Sequence, residues 1–118
     1  RDIYHHFQTR LGNLKQERFI IVILDNKHRF LSETTVTVGL LNRSLVHPRE
    51  VFAEAIEQRA AAIICIHNHP SGDSSPSEED KRITRRLQES GELLGIPLLD
   101  HIIICKEDFT SFADEGWL

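Results

Sequence analysis

Three short apolar runs limit what this chain can become. Residues 18–25 (RFIIVILD) are dense in β-branched side chains, residues 60–66 (AAAIICI) are apolar throughout, and residues 98–105 (LLDHIIIC) are a third such run. None approaches the roughly 20 apolar residues needed to span a bilayer. Each reads as a buried strand, because a run so rich in apolar side chains leaves little face for water. A sheet of such strands needs helices on both sides, and the intervening segments supply them. Ile3, Tyr4, Phe7 and Leu11 have helical spacing, closed by Gly12. Pro48 suits the first position of a helix whose stripe is Val51, Phe52, Ala55 and Ile56. Ser75, Pro76 and Glu78 read as a capping box with Ser75 as N-cap, opening a helix to about Leu94 that Gly95 stops. Phe30–Val38 reads as a partner strand after a turn at 26–29, and residues 109–112 as a short edge strand. Strands alternate with helices. The pattern predicts an α/β fold, a three-layer α/β/α sandwich around a mixed sheet. It is expected to be one domain over residues 1–118, with 1–13 as a linker or helix.

Composition excludes little but bounds the partners. The formal charge of −4 argues against non-specific nucleic-acid binding as the main role. The candidate basic groups are Arg43 and Arg49, and the cluster Lys81, Arg82, Arg85 and Arg86, which follows three carboxylates and reads as a solvated helix face. Cys65 and Cys105 both lie in apolar runs, as buried reduced thiols of a cytoplasmic protein do. No signal peptide or membrane association is expected. The chain begins with Arg1 and has no Met, so it reads as a fragment of a longer protein.

The chemistry concentrates in residues 67–80, HNHPSGDSSPSEED. His67 and His69 have strand parity and point the same way at a strand end. Two adjacent imidazoles can chelate one metal, although a lone His-x-His is weak evidence. Asp80 strengthens it. Asp80 shares a helix face with Ile83, Thr84 and Leu87, and an ionised carboxylate on an inward face is costly unless paired or bound to a cation. Glu78 and Glu79 lie off that stripe and read as surface acids. Ser77 sits one turn before Asp80, where its hydroxyl can donate to a developing oxyanion. A metal-activated water also needs a general base. Glu17, Glu33, Glu50 and Glu54 are the candidates. Glu17, immediately before the first buried strand, is modestly favoured by position.

These residues resemble a known pattern. His67-Asn-His69-Pro70, six residues, then Ser77-Glu-Glu-Asp80 is similar to the H-x-H-P-x6-S-x-x-D core of the JAMM (MPN-plus) metalloprotease motif. Residues 47–56 (HPREVFAEAI) and 93–104 (LLGIPLLDHIII) resemble the C-terminal domain of RadC proteins, which are labelled DNA repair proteins. The resemblance runs from about Leu14 onward. It implies a cytidine-deaminase-like fold and one zinc ion per chain. It also implies His67, His69 and Asp80 as zinc ligands, Ser77 as stabiliser of the tetrahedral intermediate, and Glu17 as the upstream glutamate. RadC proteins usually carry an N-terminal helix-hairpin-helix module; these 118 residues contain none, so DNA association rests on the family label alone. Deamination on the same fold needs a Pro-Cys-x-x-Cys pair, which is absent.

The expected function is zinc-dependent hydrolysis of a peptide or isopeptide bond in an unknown protein or peptide substrate. The rival is a non-catalytic, zinc-binding interaction module associated with DNA repair. There a fourth ligand, for which Cys65 is the candidate by strand parity, closes the site. Metal-dependent phosphodiester cleavage is a weaker third reading. Cys65 reads more simply as a buried thiol. Asp100 and His101 read as surface residues or hydrogen-bonding partners near the site. Asn68 reads as a strand-end hydrogen bonder, Gly72 and Asp73 as the loop turn, His5 and His6 as helix surface, and Trp117 as an anchor for the tail or a contact with a missing segment. The substrate and the oligomeric state stay open.

Overall fold

The computed structural model describes residues 2–39 and 46–118; Arg43 lies outside them. Three helices and five strands follow in the order α1 (Asp2–Leu11), β1 (Arg18–Leu24), β2 (Phe30–Val38), α2 (Pro48–Glu57), β3 (Ala62–Asn68), α3 (Glu78–Leu94), β4 (Leu98–Ile104) and β5 (Phe109–Ser111). The sheet order is β2-β1-β3-β4-β5. Among the described residues, only the β3–β4 pairing is parallel, with α3 as its crossover; the other three are antiparallel.

The central strands are apolar on both faces because helices cover both. Along β1, Phe19, Ile21 and Ile23 pack with Val51, Phe52 and Ala55 of α2 and with Ile83 and Leu87 of α3. Ile20, Val22 and Leu24 face the other way, onto Phe7 and Leu11 of α1. The period-2 alternation of a strand thus sorts one apolar run into two cores. The layers are the α/β/α sandwich that the sequence predicts.

Besides one-residue shifts at the ends of β1, β4 and β5, two boundaries differ from expectation. β3 starts at Ala62 rather than at residue 60 and runs through His67 and Asn68. Arg59, at φ 56°, and the Ala60 N–H, which bonds the Ala55 carbonyl, turn the chain out of α2 first. The larger correction concerns α3. Its N-cap is Ser77, not Ser75, and the box closes on Asp80, not Glu78. The Ser77 hydroxyl accepts from the Asp80 N–H at 3.0 Å, and an Asp80 carboxylate oxygen accepts from the Ser77 N–H at 2.8 Å. The Ser75 N–H is instead held by the Asp73 carboxylate at 2.9 Å, a local turn that keeps the chain extended through Pro76. At the other end Gly95 caps in the left-handed conformation, φ 75°, as expected.

Lys81 and Arg82 pair with Glu78 and Glu79 at 3.6 and 3.2 Å, and all four cations of that cluster are exposed, a solvated helix face. Among the described residues, no helix is long and apolar enough to cross a membrane. Trp117 rests edge-on against buried Phe112, ring centroids 5.3 Å apart, and so ties the tail to the core.

Candidate metal centre

The site forms where β3 ends beside the first turn of α3. His67 is the penultimate residue of β3 and His69 the first beyond it. Their rings meet edge to face with centroids 4.7 Å apart, as strand parity requires. Asp80 reaches them from α3. Its carboxylate lies 3.1 Å from His69 Nε2 and 3.6 Å from His67 Nδ1. One ligand atom from each of these three residues falls within 4.8 Å of the others, so the group can hold a metal ion. His67 and Asp80 are buried, at 0% and 2% exposure, which is unusual for such groups unless something compensates them.

Hydrogen bonding fixes one tautomer. His69 Nδ1 lies 2.9 Å from the Asp73 carbonyl, which can only accept, so Nδ1 carries a proton. Nε2 then faces the Asp80 carboxylate with a lone pair, and two lone pairs 3.1 Å apart need a proton or a cation between them. The electrostatics agree. Burial pushes the His69 pKa down, but the Asp80 bond, the Asp73 carbonyl and the nearby charges of Asp80 and Glu17 more than offset it, leaving it above 6.5. Burial pushes Asp80 up, yet the His69 bond, the charge of His67 and the Ser77 N–H hold it down at about 2. A metal-ligating histidine characteristically gives its other N–H to a carbonyl, as His69 does here. His67 Nδ1 is buried without any partner. The two imidazoles and the buried carboxylate form the N, N, O donor set that zinc takes.

Glu17 approaches from the start of β1, its carboxylate 2.8 Å from His67 Nε2. β1 and β3 are antiparallel, with Phe19 opposite His67, and this register brings residue 17 to the histidines. Glu17, His69, Ser77 and Asp80 all line one open cleft of about 380 Å³. The other candidate bases lie elsewhere. Glu33 is locked to Arg10 at 2.7 Å, Glu54 accepts from Gln58, and Glu50 with Glu54 lines a separate groove between β2 and α2. Cys65 belongs to the core cluster and not to the metal group. Burial, aided by the charge of Asp100, pushes its thiol pKa far up, as befits a thiol packed in the core.

A profile of the RadC-like JAB domain matches residues 1–117. The chain belongs to that family. It is 53% identical to a UPF0758 protein of Syntrophotalea carbinolica over 98% of this chain and 51% of that one. A UPF0758 protein of Bacillus licheniformis is 55% identical over 89% of this chain and 47% of its own length. One from Methanosarcina acetivorans is 48% identical over 100% of this chain and 52% of that protein. This RadC-like chain therefore spans about half the length of the curated relatives it matches, whose names state no activity.

Two sets of contacts beside the site in this RadC-like domain are more specific than the sequence reading gives. The first centres on Asn68. Its side-chain oxygen accepts from the Arg18 N–H at 2.6 Å and its amide donates to the Gln16 carbonyl at 3.0 Å. Asn68 thus grips the backbone on both sides of Glu17, while the Glu17 carbonyl accepts from the Gly39 N–H at 2.7 Å. Asn68→Ala is expected to retain metal and to lower any Glu17-dependent turnover about 10-fold or more, since small misplacements of a catalytic group are costly. Unchanged kcat in that variant would show that the clamp is only structural. The second centres on His101. It is wholly buried beside the site, bonded to Thr84, and kept neutral by burial together with the charge of His67. Asp100 instead organises the tail, accepting from the Ser111 hydroxyl and the Ala113 N–H.

The raised pKa of His69 sets a pH dependence. In the metal-free domain a group whose folded pKa is raised contributes stability that is full below its unfolded pKa. That contribution is lost as pH rises through the folded value. Metal must displace the same proton, so affinity falls as the solution is acidified below that value, by up to about tenfold per pH unit for each proton released. A competition titration between about pH 8 and about pH 6 should show this weakening. A flat profile would mean that His69 is not a ligand.

Proposed function

We propose that the domain is a zinc-dependent hydrolase of a peptide or isopeptide bond in a protein or peptide substrate. One observation carries the proposal. A fixed His69 tautomer aims a lone pair at the buried Asp80 carboxylate, in one metal-sized group with His67, and His69 and Asp80 line an open cleft. His67, His69 and Asp80 would hold the ion. Bound zinc supplies a Lewis acid and lowers the pKa of a water molecule to near neutrality.

The remaining work falls to the chain. Glu17 now spends an oxygen on His67 Nε2. With His67 engaged in holding the ion, the Glu17 carboxylate would be free to take a proton from water and to hand it to the departing nitrogen. Ser77 accepts the Asp80 N–H at its oxygen, which leaves its own proton free to donate to the carbonyl oxygen as negative charge builds there. Asn68 holds the segment that carries Glu17.

A specific observation favours the rival, a metal-free or non-catalytic interaction module. Asp80 already closes the capping box of α3, so its burial has a purely structural use. The test that separates them is a screen of zinc-loaded protein against a degenerate peptide library and isopeptide-linked peptides, read by mass spectrometry. A hydrolase gives cleavage that chelator abolishes and that His67→Ala/His69→Ala lacks. An inert zinc-loaded protein, or cleavage that survives in the double variant, removes the hydrolase.

A further inference from the structure

Two buried nitrogens at the base of the centre have no partner, Nδ1 of His67 and Nε2 of His101. Both residues are 0% exposed, and their ring centroids lie 5.8 Å apart on neighbouring parallel strands. The His101 ring is held in place by packing. It stacks on Phe112 at 4.7 Å and meets Phe19 edge-on at 5.6 Å.

Its tautomer follows from Thr84. The Thr84 hydroxyl has one proton, and it donates that proton to the Asp80 carbonyl at 2.7 Å. The same oxygen lies 2.5 Å from His101 Nδ1, so it must accept there. His101 therefore carries its proton on Nδ1. A buried imidazole with no carboxylate bonded to it stays neutral. Nε2 of His101 is then a bare lone pair, an acceptor with nothing to accept.

We propose that His101 is a positioning residue of the metal centre, whose Nε2 accepts the Nδ1–H of His67 when His67 ligates through Nε2. This rests on the zinc-site reading given above. A ligating histidine nearly always donates its second N–H to an acceptor. The nearest carboxylate oxygen, on Asp80, is 3.6 Å from His67 Nδ1, too long for a hydrogen bond, and that carboxylate is needed as a ligand. His101 Nε2 is buried and unused, on a ring whose centroid lies 5.8 Å from that of His67. Two imidazoles sharing an N–H···N bond have centroids roughly 5 Å apart, so closing the observed gap takes a shift of under about 1 Å. The result is one directed chain, from His67 to His101, from His101 to Thr84, and from Thr84 to the backbone carbonyl of Asp80. It starts on one ligand and ends on the helical turn that carries another, so ring orientation and carboxylate placement are set together.

The experiment uses the zinc-loaded chain with 15N-labelled histidine. Long-range proton–nitrogen NMR reads which ring nitrogen of each histidine bears a proton and which is metallated. Expected are a metallated Nε2 and protonated Nδ1 on His67, with His101 protonated on Nδ1 only. His101 protonated on Nε2, or His67 metallated through Nδ1, overturns the proposal without any substitution. A second arm measures zinc affinity by chelator competition. His101→Phe keeps the stacked ring and removes the acceptor, and it should weaken zinc binding about 10–100-fold. Thr84→Val should weaken it in the same direction, and Thr84→Ser, which keeps the hydroxyl, should preserve it. Unchanged affinity in a folded His101→Phe variant reduces His101 to core packing. If that variant does not fold, the tautomer measurement on the parent chain decides. A parent chain that binds no zinc removes the centre and the relay together. Zinc binding with the wrong tautomers removes the relay alone.

Discussion

Glu17→Gln is expected to retain one zinc per chain and to lose about 10²–10⁴-fold in kcat, the range associated with removal of a general base. The substitution is nearly isosteric. The backbone around residue 17 is fixed by Asn68 and by the Gly39 N–H, so the side chain stays at the cleft. A carboxamide cannot take a proton from water near neutral pH, so positioning survives and proton transfer does not. Glu17 is outside the three-residue metal group, and metal content should therefore be unaffected. The comparison needs a verified substrate and elemental analysis of the same sample. Parent-level kcat removes Glu17 from the mechanism. Loss of zinc would make it a ligand instead of a base.

The second large effect concerns Asp80, which is both N3 of the α3 capping box and the anionic member of the donor set. The two roles separate by substitution. Asp80→Asn keeps a side-chain oxygen to accept the Ser77 N–H but loses the charge that faces both histidines. Sharing roughly 10 kcal/mol of zinc binding among the ligands gives about 3 kcal/mol for this one, or about 100-fold in affinity. Metal-free stability should fall as well, because the ionised form that the histidines and the Ser77 N–H favour is lost. Asp80→Ala should lose zinc equally and also lose about 1 kcal/mol of capping, visible as a lower metal-free Tm than that of Asp80→Asn. Zinc affinity unchanged in Asp80→Asn would leave Asp80 as a helix cap and favour the interaction module.

The sandwich was legible because its causes are local. Residues 19–24 alternate between two cores, and an apolar residue at every position reports that both faces are covered. His67 and His69 were legible for the same reason, since parity alone puts them on one side. The cap of α3 was misplaced because two serines precede Pro76 and Ser77, and both Ser75 and Ser77 have an acid three residues on. What decides between them is a turn at Asp73 and the burial of Asp80, neither of which spacing reports. In the sequence, Asn68 and His101 read only as generic hydrogen bonders. The contacts that give them their roles span 50 residues to Arg18 and 17 to Thr84, and they exist only once β1, β3, α3 and β4 have assembled. Glu17 stood between these extremes: its strand was legible, whereas the antiparallel register that brings it to His67 was not.

The most direct measurement is the metal content of protein purified without chelator or a metal-affinity tag, set beside the His67→Ala/His69→Ala variant. About one zinc per chain in the parent and none in the variant is the expected result. No zinc in either sample, even after zinc is offered under reducing conditions, would contradict the metal centre and leave a capped helix packed against two buried histidines.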